Sequence, residues 1–115
     1  LSGKYLKDDE DSREGRLNKM AMYKERYKAD RNKDIARNFV ELAKSRNLNP
    51  ISLAVAWVGG HEAITAPIIG GRNVNQLKPS LDAVDIEMTP ELREEISKLG
   101  IAPEPATDRS EEKAK

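Results

Sequence analysis

From Asp30 to Arg46 the apolar positions Ile35, Phe39, Leu42 and Ala43 fall at i, i+4, i+7 and i+8. That is the stripe of a helix laying one face on a core. Asn49-Pro50 then offers a capping side chain followed by proline at the first helical position, opening an almost wholly apolar helix from Ile51 to Val58 that stops at Gly59-Gly60. A helix apolar nearly all round is expected to be buried between other elements. Ile64 to Ile69 is a short apolar, partly β-branched run ending in Gly70-Gly71, and it reads as a strand of a parallel sheet, although Pro67 brings no ladder donor. Asn73 caps a following helix in which Val74, Leu77, Leu81 and Val84 keep helical spacing. Thr89-Pro90-Glu91 starts another, with Leu92, Ile96 and Leu99 on its apolar face and Gly100 to end it.

The ends of the chain are patterned differently. Leu17 to Tyr27 predicts a short helix with Met20, Tyr23 and Tyr27 on one face, whereas residues 6–16 are charged, without periodicity, and read as a surface loop. Residues 102–115 carry prolines and then a charged terminus, the composition of an extended tail. No internal repeat is present. A single strand among helices leaves its backbone donors and acceptors unpaired, so Ile64 to Ile69 is expected to find its partners in chain that precedes Leu1.

Composition narrows the function classes. A chain of 115 residues is normally one domain, yet with 35% charged and only 4% aromatic residues its apolar material is thin for a self-sufficient enzyme. Lys+Arg at 20 against Asp+Glu at 20 leaves no net field to attract nucleic acid or an anionic membrane, so neither is expected as a partner. With no Cys and His61 as the lone histidine there is no thiolate or His-rich metal site, and Asp8 to Asp11 lack the turn glycine of a calcium loop. No apolar run reaches the length of a membrane span and no signal-peptide core opens the chain, which together with the cysteine count points to the cytoplasm.

The chemistry concentrates after the strand. Gly70-Gly71-Arg72 ahead of a helix is a layout that binds phosphate: glycines admit close approach, helix N–H groups and the dipole favour an anion, and an arginine forks onto it. The same spacing also describes a plain turn. Trp57 reads as core, with its indole N–H satisfied locally, and His61 as part of a helix-to-strand loop.

Four blocks in order, Leu1-Ser2-Gly3-Lys4-Tyr5, Gly15-Arg16-Leu17, Ser52 to Val58 and Ala66 to Leu77, resemble the C-terminal part of the aldo-keto reductases, and the likeness continues through Met88 to Leu92. It is nearest to the bacterial branch related to potassium-channel β subunits. The resemblance implies an α/β fold, the C-terminal portion of a (β/α)8 TIM barrel, mostly helical here with one or two barrel strands: residues 1–101 supply the end of strand seven onward and 102–115 a tail. Since such barrels take about 250 residues, more than half would lie upstream.

The resemblance further implies NADP as cofactor, held at its adenosine 2′-phosphate and adenine end by Gly70, Gly71, Arg72 and Gln76. Arg72 is the residue that points to NADP over NAD, because its planar, permanently charged fork suits a phosphate dianion. Further along the helix the family commonly has an acidic residue followed by Asn, where this chain has Pro79-Ser80. Ser80 can still make a hydrogen bond there, but Pro79 cannot replace a carboxylate and can kink the helix. Lys4 and Arg16 match residues that strap the cofactor's phosphates, a solvated side chain being the competing reading for each. The family's catalytic Asp, Tyr, Lys and His all fall upstream, so no residue here is assigned to catalysis, and Tyr5, Tyr23, Tyr27 and His61 are not promoted to fill the role. The parent function implied is reduction of a small aldehyde or ketone by hydride transfer from NADPH, the piece alone being expected to be inactive. The alternatives are a non-catalytic cofactor-binding regulatory or interaction protein, and a truncated remnant. Substrate and oligomeric state stay open.

Overall fold

The computed structural model describes residues 2–6, 19–22 and 30–101. Its elements are a short 3-10 turn at Lys4–Leu6, then α1 (Asp30–Ser45), α2 (Pro50–Gly59), α3 (Val74–Leu81) running into a 3-10 turn at Asp82–Asp85, and α4 (Pro90–Ser97). Most of the short helix expected over Leu17–Tyr27, the loop 7–16 with its acidic cluster, and the tail 102–115 lie outside the described residues.

α1 forms where the periodicity places it. Phe39 and Ala43 are fully buried and Ile35 and Leu42 half-buried, while the intervening charges face water. The helix ends on Asn47, whose φ of 55° is left-handed. Two bonds complete a Schellman motif: Leu48 N–H donates to the Ala43 carbonyl at 2.8 Å and Asn47 N–H to that of Lys44 at 2.9 Å. Asparagine tolerates this conformation better than most residues, which lets the chain reverse within two residues. Leu48, just past the turn, packs back on the core.

α2 starts at once. Asn49 Oδ1 accepts from the N–H groups of Ile51, at 2.8 Å, and Ser52, at 3.4 Å, with Pro50 in the first helical position. Leu53, at 0% exposure, and Ala56 face inward, and Leu53 joins Phe39, Ala43, Leu92 and Ile96 in the core. The expectation of burial on all sides needs correction: Ile51, Ala54, Val55 and Trp57 are half-buried and Val58 is exposed. Among the described residues, α1, α3 and α4 cover only part of its circumference.

α4 is capped as expected, Thr89 Oγ1 accepting from Leu92 N–H at 3.2 Å, and it buries Leu92 and Ile96. It stops at Ser97, three residues before Gly100, and two further turn bonds, from Leu99 to Ile96 and from Gly100 to Ser97, carry the chain on. Arg93 ties it to α2, its guanidinium donating to the Trp57 carbonyl and lying 5.0 Å from the centre of the indole ring. The Trp57 indole N–H is buried with no acceptor among the described residues, so the expectation that it is satisfied locally is corrected. Arg46, just past the end of α1, pairs with Glu95 of α4, but both are more than two-fifths exposed, so the pair adds less than about 1 kcal/mol and the apolar contacts hold the helices.

Two further expectations are overturned. Ile64 to Ile69 forms no strand: the segment is irregular, and Ile68 is fully exposed at 102%. No partner strand is present among the described residues to take its donors and acceptors, and Pro67 lacks one donor in any case. Of the expected apolar stripe only Leu77 is half-buried: Val74 (75%), Leu81 and Val84 (87%) are exposed, and the buried position is Ala83 in the 3-10 turn that follows α3. The helix tightens into a 3-10 turn after Leu81, which breaks the 3.6-residue period before Val84.

Because Leu53 sits in a closed part of this core and Val58 does not, the two truncations should separate. Leu53→Ala is expected to cost about 2–5 kcal/mol and Val58→Ala less than about 1 kcal/mol in urea unfolding.

Candidate functional site

The glycine turn and the start of α3 are shaped by two side chains, those of Asn73 and Gln76, and by the Asn73 backbone carbonyl. Asn73 sits in extended backbone at φ −152° and caps α3, its Oδ1 accepting from Gln76 N–H at 3.0 Å. The Asn73 carbonyl accepts from the N–H groups of Gln76, at 3.2 Å, and Leu77, at 3.1 Å. Gln76 reaches back the other way, its Oε1 accepting from the Arg72 N–H at 3.2 Å. This is a capping-box exchange displaced by one residue, because the N3 side chain closes on the residue before the cap rather than on the cap itself. It leaves Val74 N–H and Asn75 N–H at the positive end of the helix as donors unclaimed by any described residue.

The two glycines differ. A Cβ on Gly70 would meet nothing within 4 Å, whereas one on Gly71 would lie 3.0 Å from Leu77 N, 3.2 Å from Gln76 Cβ and 3.3 Å from the Asn73 carbonyl oxygen. Gly71 therefore presses bare backbone against the first turn of α3. Neither glycine has a positive φ, so the requirement at Gly71 is for space and not for backbone freedom.

Charge at this end comes from Arg72, which is exposed and makes no ion pair among the described residues. The nearby Lys78 is engaged, its Nζ lying 2.7 Å and 3.0 Å from the two carboxylate oxygens of Asp82. The free fork of Arg72 beside the helix donors suits an anion.

Gly71, Arg72 and Gln76 are thus drawn into one hydrogen-bonded turn, and Ser80 lies one turn beyond Gln76 on the same helical face. Ser80 is half-buried and lines a groove of about 390 Å³ with Val55, Ala56, Pro67 and Ile69. Lys4 stands in the separate 3-10 turn at the chain's start, next to Gly3, whose φ of 79° and close approach to Val40 Cγ2 set that turn against α1. Arg16 lies outside the described residues. His61 is in the turn after α2, its Nδ1 accepting from Ala63 N–H at 3.1 Å, and takes no part in the hydrogen bonds of the glycine turn. No group of three or more His, Cys, Asp and Glu side chains among the described residues could hold a metal, and no described helix is long and apolar enough to cross a membrane.

Sequence reasoning left one residue of this site unassigned. Asn73 was placed as a cap only, although Asn73-Val74-Asn75-Gln76 has capping-box spacing and so signals the exchange with Gln76.

The model of the Aldo/keto reductase family matches residues 1–101, which takes in the whole described structure. The chain belongs to the aldo/keto reductase family. Among similar proteins, the "Uncharacterized oxidoreductase YrpG" of Bacillus subtilis (strain 168) is 39% identical over 54 residues, covering 47% of this chain and 17% of that protein. "Protein tas" of Escherichia coli (strain K12) is 24% identical over 96 residues, covering 84% of this chain and 27% of that protein. This member of the family therefore aligns with roughly a quarter or less of the length of these relatives. No solved structure gives a significant match.

For this reductase-family chain the glycine pair supplies a direct check on the turn. Gly70→Ala should be neutral or stabilising by up to about 1 kcal/mol, through the unfolded chain. Gly71→Ala should cost about 1–3 kcal/mol, because Leu77 N and the Asn73 carbonyl are backbone and cannot step aside. Thermal unfolding of the two variants, side by side, reads the difference.

Proposed function

We propose that this chain is the part of an NADP-dependent aldo/keto reductase that holds the adenosine end of the cofactor, within a (β/α)8 barrel that reduces a small aldehyde or ketone. The observation that carries the reading is the family match over 1–101 with Gly71, Arg72 and Gln76 locked into one turn at the start of α3. The unclaimed donors of α3 and the guanidinium of Arg72, unpaired among the described residues, fit the 2′-phosphate of NADP. The cofactor, when bound, supplies the hydride.

The residues of this chain then bind and orient. Arg72 takes the 2′-phosphate, Gln76 and Gly70-Gly71 frame it, and Ser80 offers one hydrogen bond to the adenine side. Lys4 and Arg16 strap the diphosphate. The acid-base chemistry at the carbonyl falls to the family's Asp, Tyr, Lys and His, in segments preceding this one, and the setting is the cytoplasm.

Oxidation of NADPH and of NADH by the full protein, over a panel of aldehydes and ketones, tests this. NADPH should be preferred, and Arg72→Ala should raise the KM for NADPH about tenfold to a hundredfold, the value of a charge-assisted fork, while moving that for NADH little. Equal use of the two cofactors by the unaltered protein, or an Arg72→Ala variant with an unchanged NADPH KM, would sink the assignment.

A further inference from the structure

Ser52 is 3% exposed, the sole buried polar residue among those described. Its hydroxyl donates to the Pro79 carbonyl at 2.6 Å, from the first turn of α2 into the last turn of α3. A carbonyl can only accept, so the direction of this bond is set.

Three features make that bond matter for the other end of α3. Pro79 has no N–H, so the backbone ladder of the helix loses the bond that position 79 would give to Asn75, and the first and last turns are joined less firmly. The Pro79 carbonyl lies among the last four of the helix, which have no partner within it, and the Ser52 hydroxyl is the acceptor's observed donor. Finally, α3 is eight residues long with Val74 and Leu81 exposed, so packing alone holds its direction weakly. The helix rises about 9 Å between Asn73 and Pro79, and a tilt of about 10° about the Pro79 end would carry the Gly71-Arg72 turn by about 1.5 Å. A shift of that size is enough to spoil a phosphate contact.

We propose that Ser52 is a positioning residue for the phosphate-holding turn of α3, acting through the Pro79 carbonyl. The proposal rests on the cofactor reading above, and it assigns to a buried hydroxyl on α2 a share of the discrimination for the 2′-phosphate. Ser52 touches no ligand itself.

The test is calorimetric binding of adenosine 2′,5′-bisphosphate and of 5′-AMP, which differ by the 2′-phosphate alone, to the full protein and to its Ser52→Ala, Ser52→Cys and Arg72→Ala variants. Ser52→Ala should weaken the bisphosphate about fivefold, roughly the value of one hydrogen bond, and leave 5′-AMP nearly unchanged. Ser52→Cys, with similar volume and a weak donor, should fall between. General loosening of the fold would weaken both ligands alike and leave their ratio where it was, which overturns the proposal. An unchanged bisphosphate affinity in Ser52→Ala, with a loss in Arg72→Ala, also overturns it while the cofactor reading stands. If Ser52→Ala does not fold, Ser52→Cys decides by the same ratio. Failure of the unaltered protein to favour the bisphosphate over 5′-AMP removes the cofactor reading, and this proposal with it.

Discussion

Everything in this structure is arranged around the need to cover α2. From Ile51 to Val58 the helix carries one polar side chain, and each of its faces would cost free energy in water, so neighbouring elements are drawn to it. α1 lays Phe39 and Ala43 on one side, α4 brings Leu92 and Ile96, and α3 with its 3-10 continuation closes a third. The single hydroxyl on that helix is buried as well, and it is tolerated because it finds a carbonyl.

The glycine turn depends on this core indirectly. α3 buries little of its own apolar surface, and its first turn is shaped by local polar exchange: Asn73 with Gln76, and Gln76 with Arg72. Polar capping can define the donors at a helix start, but it does not aim the helix. Aim comes from contact with α2, where the 3-10 turn buries Ala83 and the Ser52 bond holds the last turn. The site therefore combines a rigid local shape with a direction borrowed from the packed helix beneath it.

Part of the exposed apolar surface on the described residues has one cause. Val58, Ile64, Ile68, Leu81 and Val84 stand in water around the irregular segment where a strand was expected. A segment rich in branched side chains gains from strand geometry only when another strand accepts its hydrogen bonds and covers its faces. Without one among the described residues, Ile64 to Ile69 stays irregular and the neighbouring half of α2 stays partly bare. This surface belongs to a chain that aligns with 17% and 27% of the length of two relatives.

What the amino-acid sequence determined by itself is local. The starts of α2, α3 and α4 at Asn49-Pro50, Asn73 and Thr89-Pro90 were legible to the residue, because a cap is an exchange of hydrogen bonds within a few positions. The inward face of α1 was legible from its period, and the residues of the glycine turn from their types in order. The fate of Ile64 to Ile69, the exposure of Val74, Leu81 and Val84, and the bond from Ser52 to Pro79 were decided by tertiary structure. Each depends on what lies across space from a side chain or a backbone amide, 27 residues away in the case of Ser52. Periodicity says which positions could be buried; only the packed neighbours say which of them are.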